Sequence, residues 1–275
     1  QESRDRKTMS QVARSMSDHE AEVWAALDLV CDPELDESIT DLGFVEQLDI
    51  HGDGSVDVLF RLPTYWCSPN FAYLMASDIY LSVGQLDWVS QVRPTLRDHL
   101  FEEQLNVGVA QGQSFRQIFG DDADADIDEV RGKFRLKAFQ RRQEVVLRAL
   151  LAEGIDAADI VAMTASDLEY RPLSDQDAEI QRLRYLSILP AIYFHGPFPC
   201  REFAPVGQTI AAKAPAFVDD EARLLTVAGL TERLQMLRSV RLNMEFTGTI
   251  CRSLLAVRDK AAEVPGSSNT GKLED

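Results

Sequence analysis

The sequence is short of the residues that mark several common protein classes. Its 275 residues contain four cysteines, at 31, 67, 200 and 251, widely spaced and without a C-x-x-C pair. That spacing excludes a zinc-finger arrangement and the dense disulfide framework of a small secreted domain. No run approaches the ~20 consecutive apolar residues that cross a bilayer, and the polar first residues contain no apolar signal-like stretch. A cytoplasmic protein with no membrane partner is the expectation. Basic side chains are outnumbered 28 to 45, giving a net charge of −17. Phosphate backbones would repel such a surface, so no nucleic-acid partner is expected. Glycine-rich phosphate loops, a G-x-S-x-G elbow and an H-E-x-x-H pair are all missing, which leaves the common nucleotide, hydrolase and zinc-protease classes without support.

What is present suffices for two compact units, since 45% of the residues are hydrophobic and 27% charged. Residues 1–17 read as a polar arm and 265–275 as a polar, disordered tail. From His19 to Val30, Val23, Ala26, Leu27 and Val30 form one helical stripe, which Pro33 ends. Alternation then predicts strands from Phe44 to Ile50 and from Ser55 to Leu62, joined by the turn His51-Gly52-Asp53-Gly54. A helix after Asn70 and a strand over Asp87–Leu96 complete the unit. The predicted fold class is therefore α+β: a small α-β-β-α-β sandwich over residues 18–110, then a mostly helical second domain. An acidic linker, 111–132, separates them; its aspartates do not fit a calcium loop, because Ile127 stands where glycine is required. Helices are expected at Lys133–Glu153, Ala157–Leu168, Ser174–Leu189 with Ile180, Leu183 and Leu186 inward, Asp219–Val227, and Thr231 to about Val264, within a domain spanning 133–264.

The chemistry centres on Leu62-Pro63-Thr64-Tyr65-Trp66-Cys67-Ser68-Pro69-Asn70, where a cysteine lies in a proline-bounded turn from strand to helix. A helix N-terminus offers free N–H groups and the positive end of the helix dipole, which favour a thiolate and so a reactive or metal-binding sulfur. An inert, buried cysteine is the alternative reading of the same residues.

Asp32-Pro33-Glu34 after an apolar helix, Asp41-Leu42-Gly43-Phe44-Val45, and Pro63-Thr64-Tyr65 with Cys67 and Pro69 together resemble the metal-sulfur cluster assembly family that includes PaaD-like and SufT-like proteins. Asp98-His99 with Glu102, Glu103 and Asn106 resembles the segment after the last strand of some members. The resemblance spans residues 20 to 110 and implies a non-enzymatic, chaperone-like maturation role. It implies that Cys67 is the ligand for iron or a transient iron-sulfur cluster, with Asp32, Glu34, Thr64 and His99 as accompanying polar groups. A client iron enzyme, such as the hydroxylase of a multicomponent bacterial monooxygenase, is the implied partner. Here Ser68 intervenes between Cys67 and Pro69, where the family usually has Cys followed by Pro. A [2Fe-2S] cluster needs four ligands, so Cys67 would share it with a second chain in a homodimer or with the client. Cys31 is a candidate second ligand. Two other readings stand beside this one: a thiol enzyme with Cys67 as nucleophile and His99 as base, and a structural subunit without metal chemistry.

In the second half, Pro190–Pro205 combines Tyr193, Phe194, Phe198 and Phe203 with four prolines, a pattern that suits a partner-binding surface. His195 and Cys200 in the same stretch are too few for a metal site. Val240, Met244, Thr247, Cys251 and Leu254 form a heptad-like stripe that serves core packing and a partner helix equally well.

Overall fold

The computed structural model describes residues 18–120, 127–195 and 213–262. The chain divides into two compact units. One contains the described residues up to Cys31, Glu37–Gln113 and the chain from Thr247; the other contains Asp32–Asp36 and Ser114–Phe246.

In the first unit, helix α1 covers residues 18–28, and Val23, Ala26, Leu27 and Val30 are buried as their spacing predicts. A small ribbon, β1 (Cys31–Asp32) and β2 (Glu37–Ser38), follows where the sequence suggests only a turn. The main sheet has the order β3 (Val45–Ile50), β4 (Ser55–Arg61), β5 (Gln91–Arg97). β3 and β4 form the expected antiparallel hairpin, while β4 and β5 run parallel, joined through helix α2 (Pro69–Gly84). Val56, Val58 and Phe60 on the central strand are fully buried, as are Ala72, Ala76, Ile79 and Val83 on α2. These faces form the core that fixes both ends of the segment between β4 and α2. Helix α3 (Glu102–Ala110) lies against β5, whose free edge is closed by one side chain: Asn106 Oδ1 accepts the Leu96 N–H at 2.8 Å and its Nδ2 donates to the Leu96 carbonyl at 2.9 Å.

The hairpin turn depends on Gly54, whose φ of +83° is costly for other residues. A Cβ there would also stand 2.7 Å from the Trp88 carbonyl oxygen, a backbone atom that cannot rotate away. Gly54→Ala is expected to cost about 1–3 kcal/mol, read as a lowered denaturant midpoint; an unchanged midpoint would mean that the turn relaxes freely.

The second unit is helical: α4 (Phe115–Phe119), α5 (Ile127–Ala152), α6 (Ala157–Ala162), α7 (Ala165–Glu169), α8 (Gln176–His195) and the start of α9 (Val227–Ala262). Phe139, Val146 and Leu150 of α5 join Tyr185, Leu189 and Phe217 in its core. Several expectations are corrected here. α5 begins at Ile127, inside the stretch read as a linker; its first-turn acids Asp128 and Glu129 suit the positive end of a helix. Ala157–Leu168 is two helices, because Thr164 starts a new capping box with Asp167. α8 buries Ala178, Arg182, Tyr185, Leu189 and Ile192 rather than Ile180 and Leu183, which are exposed. Its rotation is set by Arg182, which is held by Glu179 and donates to the Leu168 and Glu169 carbonyls. Asp219–Val227 is a turn rather than a helix: Asp219 Oδ1 accepts the N–H groups of Glu221 and Arg223. Residues 121–126 of the acidic connector lie outside the described residues.

Candidate functional site

The parallel strands β4 and β5 end side by side, and the chain leaves both ends toward the same place. After β4, Leu62 and Pro63 are buried and the chain turns through Thr64-Tyr65-Trp66 to Cys67. After β5, Asp98 adopts a left-handed φ of +54° and its N–H donates to Glu102 Oε2 at 2.8 Å. Buried Arg61 ties the two strand ends together, reaching Glu46 at 2.5 Å and Asp98 at 3.2 Å. The sharp reversal at Asp98 turns His99 inward toward the cysteine turn.

His99 then fixes the backbone of that turn. Its Nε2 lies 2.8 Å from the Cys67 carbonyl oxygen, and its Nδ1 accepts the Phe101 N–H at 3.2 Å. An imidazole that accepts at Nδ1 carries its proton on Nε2, so Nε2–H donates to the Cys67 carbonyl. Burial holds the His99 pKa below the usual histidine range, with the Cys67 hydrogen bond and Glu102 opposing in part. The Leu100 N–H donates to the Tyr65 carbonyl at 2.9 Å, and the Cys67 N–H to the Thr64 carbonyl at 3.4 Å. Cys67 is thus held from both sides of the chain while its thiol forms no disulfide and is half-buried.

Thr64 Oγ1 lies 3.1 Å from Cys67 Sγ, which gives the sulfur a hydroxyl partner. Tyr65 and Trp66 stand exposed beside it, their rings in edge contact at 6.0 Å. Ser68 is the N-cap residue of α2, its carbonyl accepting the Phe71 and Ala72 N–H groups, with Pro69 in the first helical turn. The residue inserted between Cys67 and Pro69 therefore becomes the cap, and Cys67 stands one position before it.

Of the residues singled out in the sequence, Thr64, Cys67 and His99 come together. Asp32 and Glu34 fall in the other unit. Asp32 Oδ1 accepts the N–H groups of Glu34 and Leu35 at 2.8 and 2.9 Å, which makes it the organiser of its own turn. Cys31 Sγ points to the Leu29 carbonyl at 3.9 Å. Among the described residues no group of three or more His, Cys, Asp or Glu side chains gathers to hold a metal ion. His99 does not serve as a base toward Cys67 in this geometry, since one nitrogen faces a carbonyl and the other accepts a backbone N–H. Tyr193 lies on α8, its hydroxyl donating to the Pro215 carbonyl at 2.7 Å, so it packs within the helical core rather than forming a loop surface. The side chains of Phe194 and His195, together with Phe198, Cys200 and Phe203, lie outside the described residues. Sequence reasoning missed Arg61, Glu46 and Leu100, and the signal that could have flagged Arg61 is a charge within an alternating apolar strand.

Among the described residues no helix is long and apolar enough to cross a membrane. No curated protein and no solved structure matches the chain. Residues 20–93 match the family model described as iron-sulfur cluster assembly protein. The matched span includes α1, the β3–β4 hairpin, the Cys67 turn and α2, and it stops short of His99 and of most of the helical unit. Over residues 20–93, and there alone, the chain is similar to the iron-sulfur cluster assembly protein family.

Proposed function

We propose that this protein is a maturation factor that carries iron or an iron-sulfur cluster at Cys67 and delivers it to a client iron enzyme, with the hydroxylase of a multicomponent monooxygenase as the client class. The observation that carries the proposal is the half-buried Cys67 thiol, outside any disulfide and fixed at the backbone by His99, within the matched span. The cluster is cargo. One thiolate falls three short of the four ligands a cluster needs, so the remaining ligands come from a second molecule or from small thiols. A site completed from outside is labile, which suits transfer more than storage. Thr64 supplies a hydrogen bond to the ligand sulfur, and Tyr65 and Trp66 provide apolar surface beside it for the receiving protein. Residues 133–264 serve to hold the client.

Anaerobic incubation with ferrous iron, sulfide and a small thiol tests this. A visible, oxygen-labile chromophore should form on the full chain and be absent in Cys67→Ala, while Cys31→Ala keeps it. Retention of iron by Cys67→Ala, with loss in Cys31→Ala, would show that the wrong sulfur has been chosen.

A further inference from the structure

The two loops that leave β4 and β5 expose a third large apolar side chain beside the two already described. Tyr65, Trp66 and Leu100 are 52%, 69% and 56% exposed. All three belong to the first unit and to one patch: the Tyr65 and Trp66 rings are in edge contact, and the Leu100 N–H donates to the Tyr65 carbonyl at 2.9 Å. His99, bonded to the Cys67 carbonyl, ties the same two loops together a second time. The patch is therefore fixed before anything meets it, which lowers the entropic cost of contact. Exposed aromatic side chains held in this way are the kind that carry binding energy at protein interfaces. The charges beside the patch are of one sign once the internal ion pairs are set aside. Arg61 and Arg97 are matched by Glu46 and Asp98, and Arg93 sits on Asp57 toward the other end of the two strands. Glu102, whose carboxylate accepts the Asp98 N–H, and exposed Glu103 follow Leu100 in the first turn of α3, and among the described residues neither has a basic partner. Residues 37–113 as a whole hold eleven acids, three arginines and no lysine.

We propose that this patch docks a basic segment of the receiving protein, with an apolar side chain of that segment packed on Trp66 and Leu100 and flanking lysines or arginines set against Glu102 and Glu103. The inference rests on the reading of Cys67 as the point of delivery, and it names the chemistry of what is delivered to. Charge selects this occupant. A second copy meeting the patch through a two-fold axis would bring the same acids against Glu102 and Glu103, and like charges so placed oppose association. An anionic lipid surface is repelled for the same reason. A basic segment gains on both counts, since its cations meet unpaired carboxylates and an arginine can also lie on the face of exposed Trp66. Three side chains make a patch on the order of a few hundred Å², which suits a transient encounter and not a permanent complex. Brief contact is what delivery requires.

Selection of a random peptide library displayed on phage against the immobilised, iron-free full chain tests this. Enriched peptides are expected to combine an aromatic residue or leucine with lysine or arginine, and a synthetic copy of the most enriched one should slow alkylation of Cys67. Its affinity should fall about tenfold or more in Trp66→Ala and in Leu100→Ala, with the circular dichroism of both variants unchanged. In the double variant Glu102→Gln with Glu103→Gln it should fall about threefold or more and lose most of its salt dependence. Glutamine at 102 can still accept the Asp98 N–H, so this variant removes charge without freeing the loop. No enrichment above background, enriched peptides without basic residues, or binding indifferent to Trp66→Ala overturns the proposal. So does a dimer, or adsorption to phosphatidylglycerol vesicles, that Trp66→Ala abolishes, because the patch would then have a different occupant. No readout here uses iron. Peptide binding without a chromophore would therefore overturn the cargo assignment alone, and a chromophore without peptide binding would overturn the docking surface alone.

Discussion

Asp36→Ala is expected to destabilise the protein by about 3–5 kcal/mol, because it removes a buried acid on which three arginines converge. Asp36 is almost fully buried and, among the described residues, is one of three non-glycine residues with a positive φ, here +54°. Its carboxylate accepts two hydrogen bonds from Arg142, Nε to Oδ2 at 2.9 Å and NH2 to Oδ1 at 2.6 Å, and a third from Arg184 at 2.9 Å. Arg141 stands 3.6 Å away, and the Asp36 carbonyl accepts from both Arg184 and Arg141. These contacts anchor the Asp32–Asp36 turn to α5 and α8. Without the carboxylate, three mostly buried guanidinium groups lose a shared counter-charge, whereas an exposed pair would contribute at most ~1 kcal/mol. Asp36→Gly separates the two components, since glycine accepts the positive φ and lacks the charge. Its cost should remain close to that of alanine. Guanidinium unfolding of the three proteins checks this, and an Asp36→Ala midpoint equal to that of the wild type would mean that the arginines find other acids without loss.

How much of this was legible in the sequence depends on whether a feature is periodic and local. The α1 stripe and the alternation of Val56, Val58 and Phe60 mark buried faces because side-chain direction follows backbone period, and the turn that carries Cys67 is bounded by prolines that read as turn residues. Element ends were less legible. Pro190 marks the end of a helix on local grounds, yet α8 runs through it to His195, where burial of Leu189 and Ile192 and the Tyr193 bond to Pro215 offset the local penalty. Asp219 shows the same limit from the other side, since an aspartate that can cap a helix can equally close a turn on itself. In the site, Cys67 and Thr64 are neighbours and could be read together. The link between His99 and Cys67 spans 32 residues and ends on a carbonyl oxygen, which every residue has. Asp36 was not singled out at all, because its partners lie more than a hundred residues away.

The link to His99 should also make the Cys67 turn sensitive to pH. Burial keeps His99 neutral in the fold, so its pKa is lowered from the unfolded value near 6.5. Above that value neither state binds the proton and the histidine's contribution is complete. As the pH falls through about 6.5 toward the lowered folded value, the unfolded chain takes up the proton first and that contribution is lost. Protonation in the fold would also place a hydrogen on Nδ1, where the Phe101 N–H now donates. His99→Leu should cost about 2–4 kcal/mol at neutral pH, because it leaves the Cys67 carbonyl and the Phe101 N–H without their partner in a part-buried site. It should also speed alkylation of Cys67 by loosening the turn. His99→Gln can still donate to the carbonyl but cannot titrate near neutrality, so it should recover part of the stability and lose part of the wild type's decline between pH 7.5 and 5.5. Unfolding midpoints of the three proteins at those two pH values decide the matter. Should His99→Gln decline as steeply as the wild type, the pH dependence belongs to other groups; should His99→Leu match the wild type in both stability and alkylation rate, the histidine does not hold the turn.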